Sequence, residues 1–252
     1  MSSKNKIWYS AHTSKEYEGE APVFYDTHKF EWNKRLEENY ATFYEELQRY
    51  LNTDQKLQAY FDQNLVSRNN SWKTIALMAW GVKFHKKMKQ FPQTMKVLNT
   101  IPGLVSVSFN LLEPHSEIKP HFGDTNAIAR CHFGLEIPGV LPEIGFRVKN
   151  EERSWEKGKL LAFCDGYVHT AWNYTDKPRF ILLFDIILPE FESHKNSVCS
   201  TVLSSLFLQS TAGKMGVKKD PPKWVVIPLF ISAKYAAWVS RPIYNFFGKL
   251  LK

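Results

Sequence analysis

At 252 residues, with 44% hydrophobic and 15% aromatic content, the chain has enough apolar material for one packed core with appendages, which excludes a disordered polypeptide. The net charge of +8 points toward nucleic acid or an acidic membrane. The basic residues form no nucleic-acid motif but concentrate in His85 to Gln90, Gly213 to Lys219 and the C-terminal tail, so nucleic acid is set aside and an anionic membrane surface is kept.

The three cysteines, Cys131, Cys164 and Cys199, have neither metal nor disulfide spacing, and two lie in apolar runs, as expected of reduced buried thiols in the cytosol. The opening MSSKNKIWYSAHTSKEYEGE lacks the apolar core of a secretory signal. A cytoplasmic protein follows, peripheral on the cytoplasmic face of a membrane if the tail binds one.

Glu31 to Leu51 carries Trp32, Leu36, Tyr40, Phe43, Leu47 and Tyr50 at three- and four-residue intervals with glutamates between them, which predicts one amphipathic helix. Asp54 to Phe61 predicts a second, shorter helix. Asn69-Asn70-Ser71 breaks the pattern, and the β-branched and aromatic run Trp72 to Trp80 predicts a buried strand ended by Gly81. Pro92 to Leu98 predicts a short helix with proline in its first turn. Leu104 to Leu112 predicts a strand, followed by a loop from Glu113 to Ile118 in which His115 is solvated.

Beyond residue 135, turn signals at Pro138-Gly139, Pro142, Gly145, Asn150, Gly158 and Gly166 separate short strands at Phe146 to Lys149, Ser154-Trp155, Leu160 to Phe163, Val168 to Trp172 and Arg179 to Leu188. This rhythm predicts a mainly β domain, a jelly-roll or cupin-like double sheet, rather than a doubly wound α/β fold. No Gly-rich phosphate loop, nucleophile elbow or zinc cysteine pairing is present.

The last sixty or so residues differ in character. Thr201 to Ser210 is apolar and Ser-rich, Gly213 to Lys223 is basic with Pro221-Pro222, and Trp224 to Lys252 mixes large aromatics with Lys and Arg. The longest uncharged run there, Trp224 to Ala233, is ten residues, too short to span a bilayer. An interfacial segment on anionic lipid, a helix folded back on the barrel and a dimer contact all fit. Pro228 and Pro242 predict breaks in any single long helix.

Two stretches carry candidate chemistry. PHFGDTNAIARCHFGL, Pro120 to Leu135, places His121, Arg130 and His132 within twelve residues, and Asp165 to Arg179 places His169 and Arg179 ten apart. Side chains two apart in a strand share a face, so Ile128, Arg130 and His132 point one way and Ala129, Cys131 and Phe133 the other. On an inward face Arg130 needs an anion, and a small-molecule carboxylate would satisfy its fork. Arg179, opening the run RFILLFDIIL, also fits a strand end meeting solvent.

The series His121, Gly123, Thr125, Asn126, Arg130, His132, Gly134 and Leu135, followed by Asp165, His169 and Arg179, resembles the aspartyl/asparaginyl β-hydroxylase family of Fe(II) and 2-oxoglutarate dioxygenases, over residues 72 to 190. The resemblance implies a double-stranded β-helix in which His121 and His169 hold Fe(II), Arg179 pairs with the distal carboxylate of 2-oxoglutarate and Asn110 helps. It places His132 near the metal-bound end of the co-substrate and Arg130 near the co-substrate or an acidic substrate group. The implied reaction decarboxylates 2-oxoglutarate to succinate with O2 and hydroxylates an unactivated C–H.

The wider group of such enzymes uses H-x-D/E…H, but the slot two after His121 is Gly123. Asp124, brought in by a bulge, or water completes the metal site, with the two-histidine form favoured. Asp165 either accepts the spare N–H of His169 and fixes its tautomer or is part of an Asp-Gly turn. The expected organisation is a helical buttress over residues 1–70, the oxygenase core over 71–192 and a basic, apolar tail over 193–252. The substrate stays open between a membrane lipid acyl chain and an Asp or Asn residue, because Ile128 stands where the protein-modifying relatives carry a second arginine. The missing iron carboxylate keeps a non-catalytic binding or scaffold protein as the alternative.

Overall fold

The structure is a computed structural model that describes residues 6–13, 15–55, 57–214 and 223–250. Two antiparallel sheets face each other. The larger joins β1 (Gln58–Ala59), β2 (Trp72–Ala79), β4 (Leu104–Leu112), β11 (Arg179–Ile187), β6 (Ile128–Glu136) and β9 (Leu160–Cys164) in that spatial order, with β3 (Val82–Lys83) beside β2. The smaller joins β5 (Ser116–His121), β10 (His169–Asn173), β7 (Ile144–Val148) and β8 (Glu151–Arg153). This is a double-stranded β-helix, as the turn rhythm predicted.

Strand alternation explains the layers. Val105, Val107, Phe109 and Leu111 of β4, Ala129, Cys131, Phe133 and Leu135 of β6, and Phe180, Leu182, Phe184 and Ile186 of β11 form one core with the helices. The residues between them face the smaller sheet, where Ile181, Phe163, Phe146, Val148 and Trp155 make a second core. A sheet covered on both faces keeps its polar side chains only where they have partners, so the inter-sheet polar residues mark the site.

The helical layer is α2 (Asn33–Glu38), α3 (Tyr40–Leu51), α4 (His85–Met88) and α5 (Pro92–Leu98), preceded by a single turn, α1 (Ser10–Thr13). The expected helix from Glu31 to Leu51 is interrupted at Asn39, whose side-chain amide donates to the Arg35 carbonyl at 2.8 Å and competes with the helical bonding pattern. The second expected helix, Asp54 to Phe61, instead contains β1, because Tyr60 donates its backbone N–H to Trp72 O and stacks its ring on the Trp72 indole. The strand expected at Ser154-Trp155 does not form; the edge strand there is β8, Glu151–Arg153.

Glu46 shows how α3 and α5 are fastened. It is buried, and its carboxylate accepts the Gln93 and Thr94 backbone N–H groups at 3.0 and 2.8 Å. The residue preceding α5, Phe91, has no capping side chain, and Pro92 fills the first turn. Two charge-assisted bonds at a helix N-terminus predict that Glu46→Ala costs about 1–3 kcal/mol, read as a shift in urea midpoint without a change in slope.

The N-terminal part also supplies an extended arm, beyond the buttress expected of it. Tyr17 N–H donates to Gly166 O, Cys164 N–H to Val23 O and Tyr25 N–H to Ala162 O, so the arm runs beside β9 and the turn before β10. Trp8 N–H donates to Asn126 Oδ1, and Thr125 Oγ donates to Trp8 O.

After the barrel come α6 (Lys195–Lys214) and α7 (Lys223–Leu250). Contrary to the expectation from Pro228 and Pro242, both prolines lie inside α7, which is one 28-residue helix. Contacts hold its path: Arg241 Nη2 donates to Asn196 Oδ1 at 2.7 Å, Asn245 Nδ2 donates to Gly81 O, and Asn245 Oδ1 accepts the Lys83 N–H. The expected basic segment around Pro221-Pro222 lies outside the described residues over 215–222. Among the described residues no helix is long and apolar enough to cross a membrane.

Candidate active site

His121 ends β5 and His169 opens β10, and the two are paired directly across these strands. Their rings lie 4.2 Å apart between centroids. Each ring places Nδ1 2.8 Å from a backbone carbonyl two residues earlier, Lys119 O and Tyr167 O respectively. Those carbonyls require Nδ1–H, so both Nε2 atoms carry lone pairs, the ligating form of imidazole. Burial lowers the pKa of both, that of His169 well below the ordinary histidine value with His121 adding to the effect.

Asp165 is placed differently from its expected role. The spare N–H of His169 goes to Tyr167 O, which removes the proposed bond to Asp165. The Asp165 carboxylate sits instead on the lone-pair side, with Oδ1 3.8 Å from His169 Nε2. It also explains Gly123: a Cβ there would collide with the Asp165 carboxylate. A carboxylate arriving from the β9–β10 turn thus fills the space that a side chain two after His121 would occupy. Asp124, the other expected carboxylate, bonds toward Ser10, and burial raises its pKa to about 6; neither it nor Asp165 lines the pocket itself.

Arg130 does not face a small-molecule acid. Its Nε and Nη2 donate to Asp185 at 2.9 and 3.2 Å, and its Nη1 lies 2.5 Å from Asp165 Oδ1 in ion-pair contact. With all three nitrogens committed to protein carboxylates, Arg130 is a strut that holds Asp165 in position. Burial, with Asp185 and Asp124 nearby, pushes the Asp165 pKa above the usual carboxylate range, against the pull of Arg130.

Arg179 is the opposite case. Its side chain is 2% exposed, Nε has no hydrogen-bond partner, and no carboxylate lies within ion-pair distance among the described residues. The guanidinium stacks on the Trp155 ring at 4.4 Å. Burial alone pushes its pKa down to about 9. A strand end in solvent, the bland expectation, is excluded by this burial.

Beside Arg179, Asn110 lies opposite Ile181 on β4; its Oδ1 accepts the Trp72 indole N–H at 3.0 Å and its Nδ2 donates to Ser108 Oγ at 2.8 Å. His132 Nδ1 accepts the Trp155 indole N–H at 3.2 Å, so its Nε2 carries the proton and is free to donate. Burial first, then Arg179 and Arg130, hold His132 neutral, well below the ordinary histidine range.

One pocket brings together His121, His169, His132, Arg130, Arg179 and Asn110. Trp72, Trp155 and Asp185 were not singled out from sequence. Asp185 had a signal, since it shares the strand face of Arg179; Trp155, in a loop, had none. His115 is exposed as expected, 2.9 Å from Asp176, and all three cysteines are buried free thiols.

The pocket offers two neutral imidazoles as possible metal donors and an unpaired guanidinium that a carboxylate would satisfy, while among the described residues no group of three or more His, Cys, Asp or Glu is placed to hold a metal ion. A family model described as Aspartyl/Asparaginyl beta-hydroxylase matches residues 37–189. An ornithine lipid ester-linked acyl 2-hydroxylase of Rhizobium tropici is 35% identical over 172 residues, covering 67% of this chain and 61% of that protein. The human aspartyl/asparaginyl beta-hydroxylase is 29% identical over 136 residues, 51% of this chain and 17% of its own. The chain therefore spans less than two thirds of either relative. The crystal structure of a Pseudomonas putida prolyl-4-hydroxylase aligns with a TM-score of 0.41 at 16% identity, covering 61% of this chain and 87% of that one.

Proposed function

The chain belongs to the aspartyl/asparaginyl β-hydroxylase family, and from that membership and the pocket we propose that it is an Fe(II)- and 2-oxoglutarate-dependent hydroxylase whose substrate is a membrane lipid acyl chain. The observation that carries the co-substrate is Arg179. A buried guanidinium with no anion is costly, and a dicarboxylate that brings one carboxylate to Arg179 and its other end toward His121 and His169 relieves that cost. The lipid is favoured over an Asp or Asn residue because similarity to the lipid acyl hydroxylase is both higher and longer than to the aspartyl enzyme. In addition, Arg130, the guanidinium available for an acidic substrate, is already paired.

His121 and His169 would hold the metal through Nε2, with Asp165, fixed by Arg130, as the nearby carboxylate. When bound, Fe(II) with 2-oxoglutarate and O2 supplies the oxidising power to hydroxylate an unactivated C–H, with succinate and CO2 as co-products. The protein positions and shields. Arg179 and Asn110 fix the distal carboxylate, His132 Nε2–H is free to donate to a co-substrate oxygen, and Trp72, Trp155, Phe146 and Ile181 keep bulk water from the reacting carbon.

Anaerobically purified protein given Fe(II), 2-oxoglutarate, O2 and a membrane lipid extract should form succinate and a lipid heavier by one oxygen. Binding of 2-oxoglutarate without succinate under any substrate would return the scaffold alternative, and no binding at all would overturn the site assignment.

A further inference from the structure

Helix α7 is built inside out. The residues it turns toward the barrel include Arg241, Asn245 and Gly248, whereas Trp224, Ile227, Ile231, Tyr235, Trp238 and Phe246 are exposed, Trp224 by 78% and Phe246 by 62%. A helix on a water-facing surface has the reverse arrangement, and an apolar face of this extent marks an interaction surface.

The inward side holds a second anomaly. Arg241 is 8% exposed, its guanidinium bonds Asn196 and the Trp80 carbonyl, and no carboxylate lies within ion-pair distance of it among the described residues. Lys83 and Lys195 line the same cleft between α7, α6 and the barrel, and the half-exposed Glu192 of the turn Pro189–His194 lies 3.5 Å from Lys195. A buried, uncompensated arginine flanked by two lysines is a site for an anion.

Charge indicates what covers the face. Residues 195–252 hold nine of the chain's 33 basic residues and one of its 25 acidic ones, so the first 194 residues are neutral and the whole +8 lies in this last part. Helix α7 has no acidic residue at all. A second copy would therefore bring like charge onto like charge, whereas an anionic lipid surface supplies both an apolar layer and negative headgroups.

We propose that α7 lies in the plane of an anionic membrane, with its aromatic face in the acyl layer, and that the Arg241–Lys83–Lys195 cleft takes a lipid phosphate headgroup. The helix also leads toward the active site. Phe230 packs edge-on against His12 at 5.8 Å, and the adjoining Ser10 and Tyr9 bond the Asp124–Thr125 turn that follows His121. Docking does not depend on turnover, so it is tested apart from the reading of the pocket.

The full-length protein would be floated with phosphatidylcholine vesicles and with phosphatidylcholine–phosphatidylglycerol vesicles. Binding should be at least about tenfold stronger to the anionic vesicles, with a blue shift of tryptophan emission. Phe246→Glu combined with Ile231→Glu, both on the exposed face, should abolish binding while leaving 2-oxoglutarate binding unchanged. Arg241→Gln should remove the anionic preference; because Arg241 is buried, Lys83→Gln with Lys195→Gln is the companion variant that spares the fold.

Equal binding to both vesicle types would overturn the headgroup site, and binding to neither would overturn the docking face. Thermal stabilisation by inorganic phosphate without vesicle binding would assign the cleft to the free ion instead. A concentration-dependent dimer abolished by Phe246→Glu would give the face to a second copy.

Discussion

Arg179→Met should raise the KM for 2-oxoglutarate by on the order of 10²–10³-fold while leaving the ligand-free protein as stable as wild type, or more so. The first half follows from losing two charge-assisted bonds to one carboxylate, worth about 1.5–3 kcal/mol each before partial compensation. The second half follows from the state of Arg179 without ligand: buried, with an orphaned Nε and no carboxylate beside it among the described residues. Replacing such a charge by an apolar side chain of similar length removes a desolvation cost and keeps the packing on Trp155. A structural arginine behaves in the opposite way, losing stability on substitution.

The two roles separate in thermal melts with and without 2-oxoglutarate and a redox-inert divalent metal. Wild type should gain Tm with ligand as mass action requires, and Arg179→Met should start no lower and gain nothing. Arg179→Lys keeps the charge but loses the planar fork and should fall between them. A large loss of stability in ligand-free Arg179→Met would sink the anion-site reading.

How much of this was legible beforehand depended on whether a single strand or a pair of strands carried the information. Alternation within one strand placed Arg130 and His132 on the inter-sheet face, and the same alternation in β11 gives that face to Arg179, Ile181, Leu183 and Asp185. What opposes Arg130 is a matter of register between strands: Asp185 lies directly across from it, a pairing that single-strand periodicity does not contain. Periodicity alone therefore leaves Arg130 in need of an anion, and the register supplies it from the protein.

Gly123 is a similar case. It reads as a missing ligand along the chain, but in space it makes room for the carboxylate of Asp165, 42 positions later. The tail shows the limit from the other side. Its composition revealed a mixture of aromatic and basic residues, while the inverted orientation of α7 depends on Arg241 and Asn245 finding partners on α6 and at the β2–β3 turn.

Arg130→Met should destabilise the protein by about 3–5 kcal/mol near pH 8 and by much less near pH 5. The substitution removes the cation that bridges Asp165 and Asp185, which are 0% and 2% exposed in their side chains, and leaves two buried carboxylates facing each other. Burial already holds Asp165 above the usual range in the presence of Arg130. Without it, the Asp165 carboxyl loses its stabilising cation and is pushed further up.

A carboxyl whose folded pKa exceeds its unfolded value carries no penalty below the unfolded value and gains one as pH rises toward the folded value. Each carboxyl that stays protonated in the folded variant therefore relieves about 1.4 kcal/mol per pH unit on acidification across that window. Urea melts of wild type and Arg130→Met at several pH values give this difference directly. Asp185→Asn in the Arg130→Met background removes one of the two charges and should restore stability mainly at high pH. A penalty independent of pH would mean that Arg130 acts by packing alone, and that Asp165 is held beside His169 by the β9–β10 turn rather than by this ion pair.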